Sequence, residues 1–311
     1  LTHTALQERL RHADSTVRRI AVLELADEAS DHDVPLLLAA LDDLDGAVRA
    51  AAAEALSAFE SDDTVAGLAL LLDDEDEAVR TAAAHSLAEL KRPQSARLLL
   101  PHVAHPNAFV RAAILRALRE LRAAGSAAAA LAALDDAAAS VRREAVAVLG
   151  YLKHAAALPE LARLATGDVD AEVRRAAAGA LGLASGTGVL PALFSALADP
   201  AWQVREEAAT TLGKLRQSAA GEALAAALQD DYWQVQLRAA RSLGRLRQGS
   251  ALPALLPLLA HDIANLRRET ALALGEIGER AAVPALLAAS QDPDPEVRKA
   301  VRLALQQLEE A

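Results

Sequence analysis

The stretch Asp76-Glu77-Ala78-Val79-Arg80-Thr81-Ala82-Ala83-Ala84-His85-Ser86-Leu87 decides the fold, because its central pair returns along the whole chain. The pair or a near equivalent stands at Val17-Arg18, Val48-Arg49, Val79-Arg80, Val110-Arg111, Val141-Arg142, Val173-Arg174, Val204-Arg205, Val235-Gln236, Leu266-Arg267 and Val297-Arg298. The step is 31 residues throughout, apart from one step of 32 between Val141 and Val173. A constant period of this length marks stacked supersecondary units, each burying its apolar face against the next. The extra residue is expected in the turn Thr166-Gly167-Asp168, where a loop can absorb it.

Each period has room for two helices. The second opens at the Val-Arg pair and continues with apolar residues at helical spacing, as in Val204, Ala208, Leu212 and Leu215. Three residues before the pair stand Asp14, Asp45, Asp76, Asp170 and Asp294, with Asn107 in the equivalent place. These are N-cap residues, whose side-chain oxygen accepts from an N–H that lacks a helical partner. Where the position is empty, Asp136, Asp199, Asp231 and Asp262 lie one or two residues earlier and are expected to serve instead. The first helix is the Leu/Ala stretch upstream, such as 34–41, 190–197 and 252–259. Pro35, Pro159, Pro191, Pro253 and Pro284 fall near its start, where a missing N–H is harmless. Gly150, Gly182, Gly213, Gly244 and Gly275 recur late in the second helix, where a neighbouring helix is expected to approach closely. The fold class that follows is all-α, an alpha-alpha superhelix or solenoid of ten two-helix repeats of about 31 residues, read as a single domain over 1–311.

Composition agrees. Hydrophobic residues make up 53% of the chain and aromatics 2%, so the apolar share is mostly Ala and Leu, which suit thin, closely packed helices. The net charge of −11 disfavours a generic nucleic-acid or anionic-membrane binder. Its bland source is the turns, where Asp42, Asp43, Asp73, Asp74, Glu75, Asp230 and Asp292 sit near positive helix N-termini. There is no cysteine, which removes thiolate chemistry and cysteine-held zinc. No apolar run reaches the ~18 residues of a membrane span, and no secretory signal precedes the first helix, so a cytoplasmic location is expected. Leu1 is no translation start and the chain holds no methionine, so at least an initiator is expected to be missing.

The pattern Asp-x-x-Val-Arg-x-x-Ala-Ala-x-x-Leu-Gly, matched well by 76–87 and 172–182, resembles HEAT repeats of the short type described in phycobilisome lyases, over essentially the whole chain. The resemblance implies a ladder of Asp–Arg bonds between repeats, carried by Arg18, Arg49, Arg80, Arg111, Arg142, Arg174, Arg205, Arg267 and Arg298, and broken at Gln236. It also implies a concave inner surface lined by the second helices, on which such repeats bind other macromolecules. That surface would display the residues two before each Val and those two, three, six and ten after it.

Two features of those rows stand out. Trp202 and Trp233, the only tryptophans, occupy one position in consecutive repeats and are expected to sit side by side at the ~8–10 Å spacing of packed helices. Tyr232 adjoins them. Nearby lies a basic cluster, Lys214, Arg238, Arg241, Arg245 and Arg268, with Arg205 in register. Exposed aromatics anchor interfaces, and clustered cations seat acidic groups, so these eight residues (Trp202, Trp233, Tyr232, Lys214, Arg238, Arg241, Arg245, Arg268) form the expected partner site. The competing reading is an indole that merely covers a groove and a charged face neutralised by Glu206, Glu207, Glu269 and Glu276. The amino-terminal rows, with Ala50, Ala51, Ala82, Ala112 and Ala113, are expected to be smooth.

Enzyme chemistry finds little footing. The histidines are His3, His12, His32, His85, His102, His105, His154 and His261, and none is followed by Glu, which removes the His-Glu iron ligands of the HEAT-like deoxyhypusine hydroxylases. His102 and His105 could share a helical face, but no third ligand stands at a fixed spacing. No phosphate-cradling glycine loop or Ser-His-Asp phrase occurs. The expectation is a non-catalytic scaffold, without cofactor or metal, that binds a protein or a peptide with acidic groups. The alternatives are a phycobilisome-lyase-like chromophore handler and a nucleic-acid-binding HEAT-like protein. If the repeats are modular, removing the last two should leave an array with unchanged helicity per residue and a lower melting temperature by circular dichroism; loss of all helix would contradict modularity.

Overall fold

The structure, a computed structural model, describes residues 3–28, 30 and 32–310; Leu1 and the imidazole of His3 lie outside the described part. Among the described residues every regular element is helical. Contacts gather the chain into two compact units, Leu1–Lys153 and His154–Ala311. The first holds α1 (His3–Leu10), α2 (Ser15–Glu28), α3 (Val34–Ala40), α4 (Gly46–Ala55), α5 (Asp62–Leu71), α6 (Glu77–Ala88), α7 (Ala96–Leu99), α8 (Ala108–Leu121), α9 (Ala127–Ala133) and α10 (Ala139–Tyr151). The second holds α11 (Leu158–Gly167), α12 (Ala171–Ala180), α13 (Leu190–Ala196), α14 (Trp202–Leu215), α15 (Gly221–Ala227), α16 (Trp233–Leu246), α17 (Leu252–Leu255), α18 (Ala264–Ile277), α19 (Val283–Ala288) and α20 (Pro295–Glu310). Even-numbered helices are the second helices of the repeats. In the first unit α2, α4, α6, α8 and α10 pack each on the next, and in the second α12, α14, α16, α18 and α20 do the same. The molecule is therefore an all-helical solenoid of stacked helix pairs.

The valine of the repeated pair is the inward knob: Val48, Val79, Val110, Val141, Val173, Val204, Val235, Leu266 and Val297 are all buried. Each such side chain contributes on the order of 1.5–3 kcal/mol by leaving water. The arginine beside it does the joining. In Arg18, Arg49, Arg111, Arg174, Arg205 and Arg267, Nε and Nη2 donate to both carboxylate oxygens of an Asp 25 residues later, at 2.6–3.0 Å. Nη1 turns back to the carbonyl six residues earlier in its own turn, at 2.7–2.9 Å. One planar guanidinium thus ties its own turn to the next, a geometry that a lysine could not supply.

The ladder aspartates are Asp43, Asp74, Asp136, Asp199, Asp230 and Asp292, two residues before the caps and not the caps themselves. Each also accepts an N–H two residues on, which closes the turn. The caps expected from the sequence are present: Asp14, Asp45, Asp76, Asn107, Asp170 and Asp294 accept from their own first turns. Repeats five, seven, eight and nine differ from expectation. Their caps are Ala138, Ala201, Tyr232 and Ile263, without a side-chain bond, and in the last two Asp230 and His261, rather than Asp231 and Asp262, close the turn.

The ladder is interrupted twice within the units. Gln236 keeps the bond to its own turn, through Nε2 to the Asp230 carbonyl at 2.7 Å, but its register partner is His261. Arg80 is intact, yet the residue 25 places on is His105, so it bonds only its own turn. In both cases the histidine Nδ1 accepts the turn N–H that an aspartate takes elsewhere, at 3.2 Å for His105 and 3.0 Å for His261. The same two repeats carry a second proline. Pro101 and Pro257 remove a helical donor, and the first helix tightens into 3-10 turns over Leu100–Ala104 and Leu256–Ala260. The α-helix expected over 252–259 therefore stops at Leu255. The inserted residue near Gly167 is likewise placed differently from expectation: it lengthens α11 to ten residues instead of swelling a loop.

Late glycines let second helices touch. A methyl group on Gly275 would lie 2.7 Å from the Ala304 Cα, a backbone atom that cannot swing away, whereas on Gly182 it would lie 3.5 Å from the mobile end of Thr211. Gly275→Ala should therefore destabilise the protein by about 1–3 kcal/mol in denaturant unfolding, while Gly182→Ala should be neutral or stabilising; equal effects would refute close approach as the reason. The ladder carboxyls give a pH test. Arg18 holds the Asp43 carboxyl below its ordinary value, against the upward pull of burial; at Asp199 burial is the largest single pull, upward, and donation by Arg174 and the Ala201 N–H together with the charges of Arg174 and Arg205 outweighs it. A carboxyl depressed when folded stabilises fully above its ordinary value of 3.8 and loses that contribution as pH falls through the lower, folded value. Asp199→Asn should lower stability by about 1–3 kcal/mol at pH 7. The difference should shrink below about pH 4. A difference independent of pH would contradict the ladder's ionic character.

Candidate functional site

Seven of the eight expected site residues lie on the second helices α14, α16 and α18, Tyr232 caps α16, and all eight fall in the second unit. The structure brings them together in a different pairing from the one expected. Trp202 stacks on Tyr232, with ring centroids 5.5 Å apart and planes 13° from parallel, and the Arg205 guanidinium lies 5.5 Å from the Tyr232 ring centre. Tyr232 is thus held between an indole and a ladder arginine. The physical reason is the register: Tyr232 precedes α16 by one residue and swings toward the start of α14, filling the space that a second indole would need. Trp233 instead lines a cleft of about 320 Å³ with Leu237, Gln234, Asn265 and the arginines 238, 241 and 268.

The charges of that cleft are mostly paired, as the competing reading of the sequence required. Arg238 donates to Glu206 at 2.9 Å, Arg241 donates to both oxygens of Glu269 at 2.6 and 2.7 Å, and Lys214 stands 3.8 Å from Glu207. Glu269 is buried, and its hydrogen bonds to Arg241 push the Arg241 pKa up against desolvation. The first unit repeats the device in the same register, where Arg116 and Arg119 reach the buried Glu144 at 3.0 and 3.2 Å. Such pairs fix geometry more than they add charge for a partner. Among the described residues Arg245 and Arg268 have no ion pair. Arg268 is half-buried in the cleft wall, and Gln234 Oε1, also in that wall, is buried without a hydrogen-bond partner.

The amino-terminal rows are not smooth. Ala78 and Ala82 line an open cleft of about 900 Å³ together with Glu54, Ser57, Glu77, Thr81 and His85. Small residues on one row leave a furrow when the rows beside it are long, a signal that a row-by-row reading of alanines alone misses. Asn265, Gln234 and Leu237 also line the Trp233 cleft, and neither charge nor an aromatic ring marks them in the sequence. As for metal chemistry, His105 uses Nδ1 on the Asn107 N–H, and its Nε2 lies 3.7 Å from Asp73, which ties it into the turn. Among the described residues no group of three or more His, Asp and Glu converges on one point. No helix among them is long and apolar enough to cross a membrane.

Comparison with known proteins places this geometry. Among curated proteins none matches the sequence. Of solved structures, an engineered protein matches over 98% of both chains at 23% identity with a TM-score of 0.56. The Escherichia coli protein YibA matches over 97% of this chain and 99% of its own, at 19% identity and a TM-score of 0.55. Importin beta matches 98% of this chain with 50% of its own length, at 14% identity and a TM-score of 0.66. These likenesses concern the fold. The family signature described as HEAT repeats matches residues 4–71, 34–119, 65–150, 127–212, 165–235 and 221–306, and with the repeat and its arginine ladder in hand, the chain belongs to the HEAT-repeat family.

Proposed function

We propose that this protein is a non-catalytic interaction scaffold that holds a protein or peptide segment on the face displayed by α14, α16 and α18. The observation that carries the reading is Arg268, a half-buried arginine without an ion pair, beside an indole and an unpartnered amide oxygen in one cleft. A desolvated cation is unfavourable unless an anion completes it, and the cleft's apolar wall of Trp233 and Leu237 suits a side chain next to that anion. In this reading Trp233 is the apolar anchor and Arg268 takes an acidic group. Arg238 and Arg241, braced by Glu206 and Glu269, shape the wall, while Trp202 and Tyr232 form a rigid shelf beside it. Lys214 and Arg245 continue the face toward the helix ends. The fold supports the reading in kind: Kap121p, matched at 16% identity with a TM-score of 0.65, has been seen bound to the extreme C-terminus of Cdc14p.

With the partner purified by affinity to the intact protein, Trp233→Ala and Arg268→Ala should each weaken binding by at least about 2 kcal/mol, with helicity unchanged. Tyr151→Ala, an exposed aromatic in the first unit, should have no effect. Unchanged affinity in both cleft variants would remove the site.

A further inference from the structure

The open cleft of the first unit contains carboxylates that the fold does not use. Glu54 stands in the last turn of α4, where the helix dipole opposes a negative charge. Glu77 stands in the first turn of α6, where the dipole favours it. Neither side chain has a hydrogen bond or ion pair among the described residues, and no lysine or arginine lines the cleft. Glu54, Glu77 and His85 do not converge closely enough to hold one metal ion, so a cation that serves both carboxylates is an extended one.

The edges of the cleft are apolar. Equivalent positions of successive repeats line up in rows, as Glu54 and His85, one period apart, do within the cleft itself. Leu23 precedes them in that row on α2, and Ile20 precedes Ala51 and Ala82 in another. On the far side Phe109 follows Ala78 on α8. Because α2 packs on α4 and α6 on α8, these three residues continue the cleft's own rows. Ile20, Leu23 and Phe109 are 41%, 45% and 40% exposed, whereas Ala51 and Ala82 are buried. Large apolar side chains left in water on either side of a trough of small ones mark a surface that a partner covers.

The occupant follows from what the trough can and cannot offer. Its floor is the flank of α4 and α6, whose backbone N–H and C=O groups are already bonded within those helices. An extended segment laid on alanines would leave its own backbone groups unpaired, while a helix satisfies them internally. A helix about 10–12 Å across with a pitch of about 5.4 Å occupies roughly 400–600 Å³ per turn. The cleft of about 900 Å³ therefore takes about two turns, and further turns would lie on the apolar edges.

We propose that the second helices α2, α4, α6 and α8 dock an amphipathic helix of a partner protein. Its apolar stripe covers Ile20, Leu23 and Phe109, and its lysines or arginines pair with Glu54 and Glu77. The proposal does not rest on the Trp233 cleft, which belongs to the second unit.

The test uses a synthetic peptide of about 18 residues, with leucines at i, i+3, i+4 and i+7 and lysines flanking that stripe. It is titrated into the full chain labelled at Ala, Ile and Leu methyl groups and read by NMR. Saturable shifts at Ile20, Leu23, Ala51 and Ala82, with none at the exposed Leu70 of α5, are the expected result. Glu54→Gln and Glu77→Gln should each weaken binding by about two- to fivefold, and Leu23→Ser by about tenfold. Asp63→Asn, an exposed acid on α5, should change nothing. An equal loss in Asp63→Asn would mean attraction to net charge alone and would overturn the site, as would the absence of saturable binding. Equal affinity for a peptide with glutamates in place of lysines would refute the charge pairing. Equal affinity for one interrupted by proline would refute the helix. Glu54→Gln should melt at the same or a higher temperature, because it removes a charge that the α4 dipole opposes. A lower melting temperature would mean that Glu54 serves the fold and would overturn its assignment. Trp233→Ala should bind the peptide unchanged, so failure of this trough and failure of the other cleft are separable.

Discussion

The bidentate bond from the arginine of one repeat to the aspartate of the next is the constraint on which the rest of this structure depends. Hydrophobic burial alone would let thin helices made of Ala and Leu slide, because small side chains offer shallow ridges and many near-equal registers. A planar guanidinium that must satisfy two carboxylate oxygens ahead and a carbonyl behind permits one register. The carboxylate is in turn oriented by the backbone N–H of its own turn. Each bond therefore sets the helix that follows it, and the 31-residue period of the sequence becomes a fixed spacing in space.

From that spacing the surface follows. Equivalent positions form rows, and a row can be neutralised, left open or given over to a partner. Glu144 and Glu269 show neutralisation, each buried beneath arginines from the preceding repeat. Arg268, half-buried and without an ion pair among the described residues, shows charge that the fold leaves uncompensated. Where the ladder itself lapses, at Arg80 with His105 and at Gln236 with His261, a histidine closes the turn but offers no carboxylate to the neighbour. Those two joints lack the bidentate tie and rely on other polar contacts, Asn107 with Asp73 at one and Arg241 with Glu269 at the other.

How much of this was legible in the sequence divides along physical lines. Whatever depends on period alone was readable: the helix pairs, the caps at Asp45, Asp76 and Asp170, the prolines that open first helices, and the arginines as joining residues. Whatever depends on the direction of one side chain was not. The caps mask the true ladder aspartates two residues away, because both accept N–H groups from the same turn and look alike in sequence. Tyr232 rather than Trp233 meets Trp202, because a residue just ahead of the helix points back across the joint, which no spacing rule reports. Arg216 and Arg247 lie outside the helical rows, and only their left-handed backbone distinguishes them. The glutamates that partner Arg238 and Arg241 were visible in sequence, but whether they neutralise or merely adjoin is a matter of ångströms.

A double-mutant cycle across one joint tests the central claim most directly. Arg267 and Asp292 should show a coupling of about 1–3 kcal/mol when each is replaced by Ala singly and together, as expected of a bidentate pair that is largely withdrawn from solvent. The exposed pair Arg175 and Glu172, within one helix, should couple by well under about 0.5 kcal/mol in the same assay. Additive effects at Arg267 and Asp292, no larger than those of the exposed pair, would mean that apolar packing alone sets the register and that the ladder merely decorates it.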